Sequence, residues 1–481
     1  MYQKIHLYLQ KNGKIYVSIK DIAPVVGYKS HNGEYKVNVE NDLNKMYVEC
    51  EQETASFYYN SQTINKVAPN SNNDYENITI SEPVIMENGK LYVISDGFVS
   101  GFNSLFNYDK AKNRVTIRTL PSLIEAYSNV ITEYEFKEIS DDFNNQKALI
   151  YGLIVGKRED EKYGVKTIEG VEVISPRYNN IKYVESAGEF IITNSSNKVG
   201  IAYNTGKTKI TVSYDDIKVI DSTLGLYLVK SNNKYGVVNS EENFIIHIEY
   251  DQIGIDTSSF PADKIENQYI LCGNIIPVRQ NEKWRLLDIN GKRLTTDEYD
   301  AVGYVNPDSN KRVVNNAVVI GDTKTIIVGK IKEDTTNYTK ELIYGGVDVK
   351  GNTLIPVSFD AIYSITSSGV TTYYILSNDK EYNATDLINA MKLRLGYTQE
   401  EIESQKEQGV EPQGSTEALD SNTVDNNVVN TNTVETSVEP TEINGIMKAT
   451  NMTSNSLIVN ENNITQNIAN SIESNNTIII E

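Results

Sequence analysis

The chain has 481 residues, room for two or three domains with a buried core. Its 45 Lys and Arg against 65 Asp and Glu give a formal net charge of −20, which opposes binding to nucleic acid or to an anionic membrane surface, since both need a basic footprint. Two cysteines, Cys50 and Cys272, exclude a disulfide framework and a Cys-based zinc site.

The stretch from Met1 to Lys11 has no uninterrupted apolar run, so no secretory signal is visible, and no segment reaches the ~18 apolar residues of a membrane span. Read literally, this is a cytoplasmic chain. Tyrosine is abundant, at 32, which leans the composition toward β-structure.

Residues 1–119 contain a duplication. Asn12-Gly-Lys-Ile-Tyr-Val17 recurs as Asn88-Gly-Lys-Leu-Tyr-Val93, 76 residues on. Asn-Gly ahead of alternating apolar residues predicts a hairpin. Each copy then passes through a short helical stretch (19–26 and 96–105) and closes on a strand, Lys45–Val48 or Arg114–Ile117. The result is a small duplicated α+β module. Residues 120–134 form a helical linker, with Pro121 at a first helical position and Leu123, Tyr127, Val130 and Ile131 on one face.

Residues 135–382 repeat. Position zero is Tyr163, Val199, Tyr235, Trp284 and Tyr344, followed by Gly164, Gly200, Gly236, Arg285 and Gly345. Seven residues on stand Gly170, Gly206, Glu242, Gly291 and Gly351. Fifteen on stand Tyr178, Tyr214, Tyr250, Tyr299 and Phe359, and the next residue is Asn179, Asp215, Asp251, Asp300 or Asp360. An apolar residue follows two further on, Ile181, Ile217, Ile253, Val302 or Ile362. The inner spacing of 15 is constant, whereas the steps between copies are 36, 36, 49 and 60 residues. The two long steps place insertions near 258–267 and 308–337, and insertions in an array map to loops where binding is concentrated. Phe136–Ile139 reads as the tail of an earlier copy and Tyr382 as the start of a sixth, truncated one. One unit of three or four short strands cannot bury its apolar face alone, so units must stack. A propeller-like all-β domain is expected, with a β-solenoid as the alternative.

Residues 383–404 switch to helical periodicity (Leu387, Ile388, Met391, Leu395), with Gly396 as a C′ residue and Thr398-x-x-Glu401 as a capping box, and should cap the array. Residues 405–481 are acidic and rich in Asn and Thr, and have no aromatic residue. They are expected to be disordered, and Ile478–Ile480 to be too short to anchor anything.

Lys234-Tyr235-Gly236 with Tyr250-Asp251-Gln252-Ile253, and Lys283-Trp284 with Gly291 and Tyr299-Asp300-Ala301-Val302, resemble the WG repeat of many bacterial proteins. Tyr usually replaces the Trp, and Val199 and Arg285 break the dipeptide. That resemblance covers about half of the chain and implies β repeats without known chemistry. Residues 1–119 are similar to the copper amine oxidase-like N-terminal domain of secreted clostridial proteins, carried by Asn88–Val93 and Phe106–Ile117. It implies a non-catalytic domain behind a signal peptide, so a leader is expected to be missing from this sequence.

Asn107-Tyr108-Asp109, with Ser104 ahead of it, resembles the motif whose tyrosine becomes a quinone in true copper amine oxidases. That chemistry needs three copper-ligating histidines, and His6, His31 and His247 are scattered, so Tyr108 reads as a packed aromatic. His247 lies in an alternating strand and reads as a core or surface histidine. The Tyr-Asp pairs could line a cation site, but Ca²⁺ needs oxygens clustered within one loop, and Tyr packing with Asp capping a turn is preferred. The position-zero aromatics read as an internal stack before a sugar-binding ladder. No phosphate-binding glycine loop occurs. The expectation is a protein without catalytic, cofactor or metal sites, which binds a protein or glycan at the cell envelope or exterior. The alternative is a cytoplasmic interaction scaffold with a disordered tether.

Overall fold

Both Asn-Gly pairs form the expected hairpins. A computed structural model describes residues 8–30, 45–68, 75–109, 111, 114–256, 269–306, 316–334, 339–367, 370–407 and 477–480. Asn12, Gly13, Asn88 and Gly89 all adopt positive φ (53°, 76°, 50° and 73°), the left-handed pair that matches strand twist in a two-residue turn. The turns join Tyr8–Lys11 to Lys14–Ser18 and Ile85–Glu87 to Lys90–Ile94, and the inner strands pair antiparallel with Val17 opposite Val93. The two halves thus share one four-stranded sheet. Each inner strand runs into a short helix, Ile19–Ile22 or Ser95–Phe102.

Beyond the helices the halves diverge. The second ends in the hairpin Ser104–Asp109 with Arg114–Thr119. The first continues into a five-stranded sheet of Lys29–Ser30, Lys45–Glu49, Thr54–Tyr58, Thr63–Val67 and Tyr75–Thr79. Four of these strands, all but Lys45–Glu49, escape sequence reading. Ser56 and Lys66 occupy buried positions on two of them, which erases the alternation that marks a half-buried strand.

Among the described residues, the repeats form six antiparallel sheets whose strands follow one another as a meander. The first contains Glu138–Ile139, Leu153–Lys157, Tyr163–Thr167 and Glu172–Tyr178; the second contains Asn180–Val184, Glu189–Thr193, Val199–Tyr203 and Thr208–Tyr214. The third contains Asp216–Asp221, Leu226–Ser231, Lys234–Asn239 and Phe244–Tyr250, and the fourth Gln252–Ile253, Ile275–Gln280 and Lys283–Asp288. The fifth contains Ala301–Val302, Thr325–Asp334, Thr339–Val347 and Thr353–Phe359, with Val319–Ile320 beside the long strand; the sixth contains Ala361–Ser367, Val370–Ser377 and Lys380–Asn383. Each sequence repeat straddles two sheets. Its fifteenth position ends one sheet and its eighteenth lies in the first strand of the next.

Apolar clusters join neighbouring sheets in series. Tyr178 and Ile181 share one cluster, Tyr214 and Ile217 the next, then Tyr250 with Ile253 and Tyr299 with Val302. The ends are covered differently. Ile150 and Ile154, at the start of the array, pack into the core of the amino-terminal module, and Ala384 and Ile388 of helix Ala384–Arg394 pack on the last two sheets. Mainly β architecture built from propeller-type meander sheets is what the composition and repeats predicted.

Several details differ from the sequence reading. Thr325–Asp334, which the repeat spacing assigns to an insertion, is a central strand of the fifth sheet. Lys380 pairs with Ser377 as Lys234 pairs with Ser231, so Glu381, not Tyr382, takes the zero position of the sixth unit, and Tyr382 is exposed. The linker helix ends at Ser128, and Val130 lies outside it. Leu395 is exposed, because Leu387, Ile388 and Met391 already fill the inward stripe. The insertion at 258–267, parts of the second insertion, His6, His31 and residues 408–476 lie outside the described residues. Thr477–Ile480 differs from expectation: it forms a third strand on Arg114–Thr119. A four-residue strand needs only an open sheet edge, and that hairpin offers one.

Candidate functional site

The recurrent residues converge on the contacts between sheets. The constant spacing of 15 is a hairpin register. Tyr163 pairs with Tyr178, Val199 with Tyr214, Tyr235 with Tyr250, and Tyr344 with Phe359, each followed by the same two register shifts. Those shifts are bulges, and they press the partner strand against the residue after position zero. A Cβ on Gly164, Gly200, Gly236 or Gly345 would lie 2.6–2.8 Å from a carbonyl oxygen of that strand, so only glycine fits. The fourth unit shows the converse. Arg285 stands there, and the closing strand is reduced to two isolated bridges, Trp284–Tyr299 and Leu287–Arg293.

The turn at the seventh position docks on the closing strand of the preceding sheet. Gly206, Gly291 and Gly351 adopt φ of 84°, 77° and 89°, and a Cβ there would fall 1.8, 2.0 and 2.3 Å from the carbonyl oxygens of Val173, Ile245 and Leu294. Gly170 meets the ring of Tyr134 in the linker instead. Glu242 replaces the glycine in the third unit at φ 62°. Its carboxylate makes the docking contact, accepting from the Thr211 N–H (3.1 Å), Thr211 Oγ1 (2.6 Å) and Tyr214 OH (3.0 Å). Burial first, and this carboxylate second, push the Tyr214 phenol up to about 12.

The residue after the +15 aromatic clamps successive sheets. Asp215, Asp251 and Asp300 each accept from the lysine before position zero, Lys198, Lys234 or Lys283, at 2.5–2.6 Å. The second carboxylate oxygen of each accepts a backbone N–H of the next sheet: Asn232 (2.7 Å), Asn281 (3.0 Å) and Ile331 (2.8 Å). Asp360 accepts from the Asn378 N–H at 2.8 Å, and Ile343 stands where its lysine would be. Asn179 accepts from Lys162 and, in place of a backbone contact, donates its amide to Asn197 Oδ1 at 3.4 Å. The lysine and backbone bonds hold Asp215 and Asp251 below the ordinary carboxylate value. For Asp300, burial opposes ionisation, but Lys283 and the Ile331 N–H win and lower its pKa. These carboxylates are spread along the array, one per junction, each already paired. They do not gather around a cation.

A second cluster lies where the amino-terminal module meets the array. Lys66 Nζ donates to Ser100 O (2.7 Å), Asn103 Oδ1 (2.8 Å) and Glu185 Oε2 (2.9 Å) and lies 3.0 Å from Glu53. Lys147 Nζ is 2.9 Å from Glu185 and 3.6 Å from Glu53. Tyr151 OH donates to Glu185 at 2.8 Å, and the Ser186 N–H to Glu76 at 3.0 Å. Four of these ionic side chains are at most 4% exposed. Burial alone would raise the Glu185 pKa, yet Lys147 and Lys66 lower it to about 2. Burial would lower that of Lys147, but Glu185, Glu53 and Glu76 raise it above the ordinary lysine value. Desolvation dominates at Glu76, whose pKa rises. Nothing in the sequence marks these lysines as core residues.

Other candidates are placed apart. Tyr108 OH accepts from Gln10 Nε2 (2.8 Å), His247 stacks on Phe244 with ring centroids 5.6 Å apart, and Cys50 and Cys272 are separate half-buried thiols. Among the described residues, no three His, Cys, Asp or Glu side chains are placed to hold a metal, and no helix is long and apolar enough to cross a membrane. A shallow cavity of about 180 Å³, lined by Lys350, Asn352, Tyr397 and Glu401, lies under the capping helices. It is smaller than the ~300 Å³ at which ligand pockets begin.

Fold and signature together define a protein of stacked β repeats. Residues 235–257, spanning the Tyr235–Tyr250 hairpin and Asp251, match the WG containing repeat family. Among solved structures, the chain is similar to the WD40 β-propeller domain of Doa1 (10% identity, 69% of this chain and 88% of that one, TM-score 0.19). It is also similar to the C-terminal WD40 domain of Sif2 (10%, 70% and 80%, 0.22) and to Kluyveromyces lactis Hsv2 (8%, 64% and 99%, 0.24). No curated protein matches it.

Proposed function

We propose that the chain is a non-catalytic binding or structural protein of the cell envelope or exterior, holding a protein or glycan on its repeat array. The observation that carries this reading is how the signature residues are used. The zero and +15 positions set a register, the glycines admit close backbones, and the Asp carboxylates join sheets. A signature used for cohesion leaves recognition to residues that vary between units, as in other stacked-repeat proteins. Val171, Phe244, Ile331 and Leu342 are exposed apolar side chains of this variable kind. The envelope assignment draws on the resemblance of residues 1–119 to a domain of secreted proteins. Fractionation of native cells, with mass spectrometry of the mature amino terminus, tests it. A cleaved, exported form supports envelope binding. An intact Met1 in the cytosol overturns it in favour of an intracellular scaffold.

A further inference from the structure

We propose that the outer edge of strand Arg114–Thr119 is a strand-acceptor site that works between copies of this protein, taking Thr477–Ile480 of a second copy. Within one chain the pairing is already built. Val115 lies opposite Ile480, Thr116 opposite Ile479, Ile117 opposite Ile478 and Arg118 opposite Thr477, all antiparallel. The other edge of the acceptor is used by Ser104–Asp109, so this is the one on which a strand can be added.

The acceptor is built to receive a strand. Its stretch Val115-Thr-Ile-Arg118 has no proline and no bulge, the devices that protect sheet edges from pairing with other chains. Its register is fixed from the inside, because Val115 and Ile117 are 1% and 0% exposed in the core of the amino-terminal module. Ile478 and Ile480 sit at the register positions of those two residues, so a slip by one residue would exchange the faces. The donor is β-branched throughout, Thr-Ile-Ile-Ile, the composition that suits such an edge.

Covalent connection does not reserve the donor for its own chain. Sixty-nine residues, 408–476, separate it from helix Gln399–Glu407. At ~3.4 Å per residue their contour is at most about 230 Å, several times the width of a domain. Four residue pairs make a weak ladder that opens readily. Cis and trans pairing use the same bonds, so concentration decides between them, and trans pairing takes over near the millimolar effective concentration of a tethered segment. A donor and acceptor on different surfaces give a head-to-tail contact, which links copies into chains. The net charge of −20 opposes that approach, so added salt favours it.

A disulfide trap tests this. Two variants, Thr116→Cys and Ile479→Cys, are made on a Cys50→Ser, Cys272→Ser background whose fold is checked by circular dichroism. They are mixed at ~1 mM, near the effective concentration of the tether, and oxidised gently. A heterodimer between the two variants, increasing with salt and abolished by Ile478→Asp in the donor, is the expected result. The variant carrying both cysteines closes internally at low concentration. Internal closure without any mixed dimer overturns the proposal, as does failure of both or a mixed dimer indifferent to Ile478→Asp. Folding is bypassed in a second measurement with a fluorescent peptide of residues 475–481. It binds a chain ending at Asn476 and is excluded from the full chain at low concentration; equal binding to both, or to neither, overturns the proposal.

Discussion

Lys66 and Glu185 stand 119 residues apart in sequence and meet at 2.9 Å with side chains 3% and 0% exposed. One belongs to the amino-terminal module and the other to the turn after Asn180–Val184, in the second sheet's first hairpin. With Lys147 and Glu53 they form a four-charge group in which each ion has opposite-charge partners. Removing one charge leaves the others buried and uncompensated, at a cost of about 3–5 kcal/mol, whereas replacing a whole buried pair by apolar groups is far less harmful. Glu185→Gln is therefore expected to destabilise by about 3 kcal/mol, and Lys66→Met with Glu185→Met by less than the sum of the single changes. Urea unfolding with a double-mutant cycle checks this, and additivity would show that the pair is not coupled.

The same group sets a pH dependence. The Glu185 pKa falls from 4.5 to about 2. Its contribution is complete above the unfolded value and is lost as pH falls through the folded one, so wild type and Glu185→Gln should converge in stability between about pH 4.5 and 2. Lys147 is raised above its ordinary 10.5, and its contribution is present below that value and lost only in strong base. Glu76 acts in the opposite sense. Its raised pKa favours folding in acid, and that contribution fades as pH rises past its folded value. Stability of both proteins measured from pH 2 to 8 decides the matter. Parallel curves would remove Glu185 as the source of acid sensitivity.

What the sequence disclosed follows from how local each interaction is. The 15-residue spacing was legible because a hairpin register is a property of adjacent residues. The clamp was legible only in part. Asp215, Asp251, Asp300 and Asp360 are conspicuous, but their backbone partners lie 17, 30, 31 and 18 residues on, and the insertions hide the rule. Reading the Asp as a cap for the following turn anticipates a turn N–H as its partner, but not that this N–H belongs to a hairpin turn 17 or 30 residues on. The buried joint left no trace at all. Lys66, Lys147, Glu53 and Glu185 look like surface residues until strands from distant segments surround them, and the same lysine concealed the strand that carries it.

The clamp can be weighed at Asp300, the most enclosed of its kind, whose side chain is 14% exposed beside a Lys283 that is 44% exposed. Solvent screens the ionic part, worth less than about 1 kcal/mol. The bond to the Ile331 N–H supplies the rest, so Asp300→Ala should cost about 1–2 kcal/mol. Asp300→Asn keeps that acceptor and should recover much of the loss. Amide exchange at Ile331 separates the two parts: it should quicken in the Ala variant and stay slow in the Asn variant. Equal rates in both would place the stabilising interaction elsewhere.

The glycine after position zero makes the most local claim. In the third unit, Gly236→Ala would place a Cβ 2.7 Å from the Ile246 carbonyl oxygen, in a strand whose bulge cannot retreat without breaking the Tyr235–Tyr250 pair. Overpacking of this kind costs about 1–3 kcal/mol. The fourth unit allows the reverse experiment. Arg285→Gly removes the bulk that holds the closing strand to two bridges, at the expense of the Arg285–Glu298 bond (2.8 Å). The variant should extend the pairing between Lys283–Asp288 and residues 292–298, slowing amide exchange there even if its overall stability is unchanged. If exchange across 292–298 stays as fast as in the parent, Arg285 is not what interrupts the strand. The irregularity would then lie in the closing segment itself, where the Arg293 guanidinium holds the carbonyls of Thr295, Thr296 and Asp297 at 2.6–3.1 Å in a turn of its own.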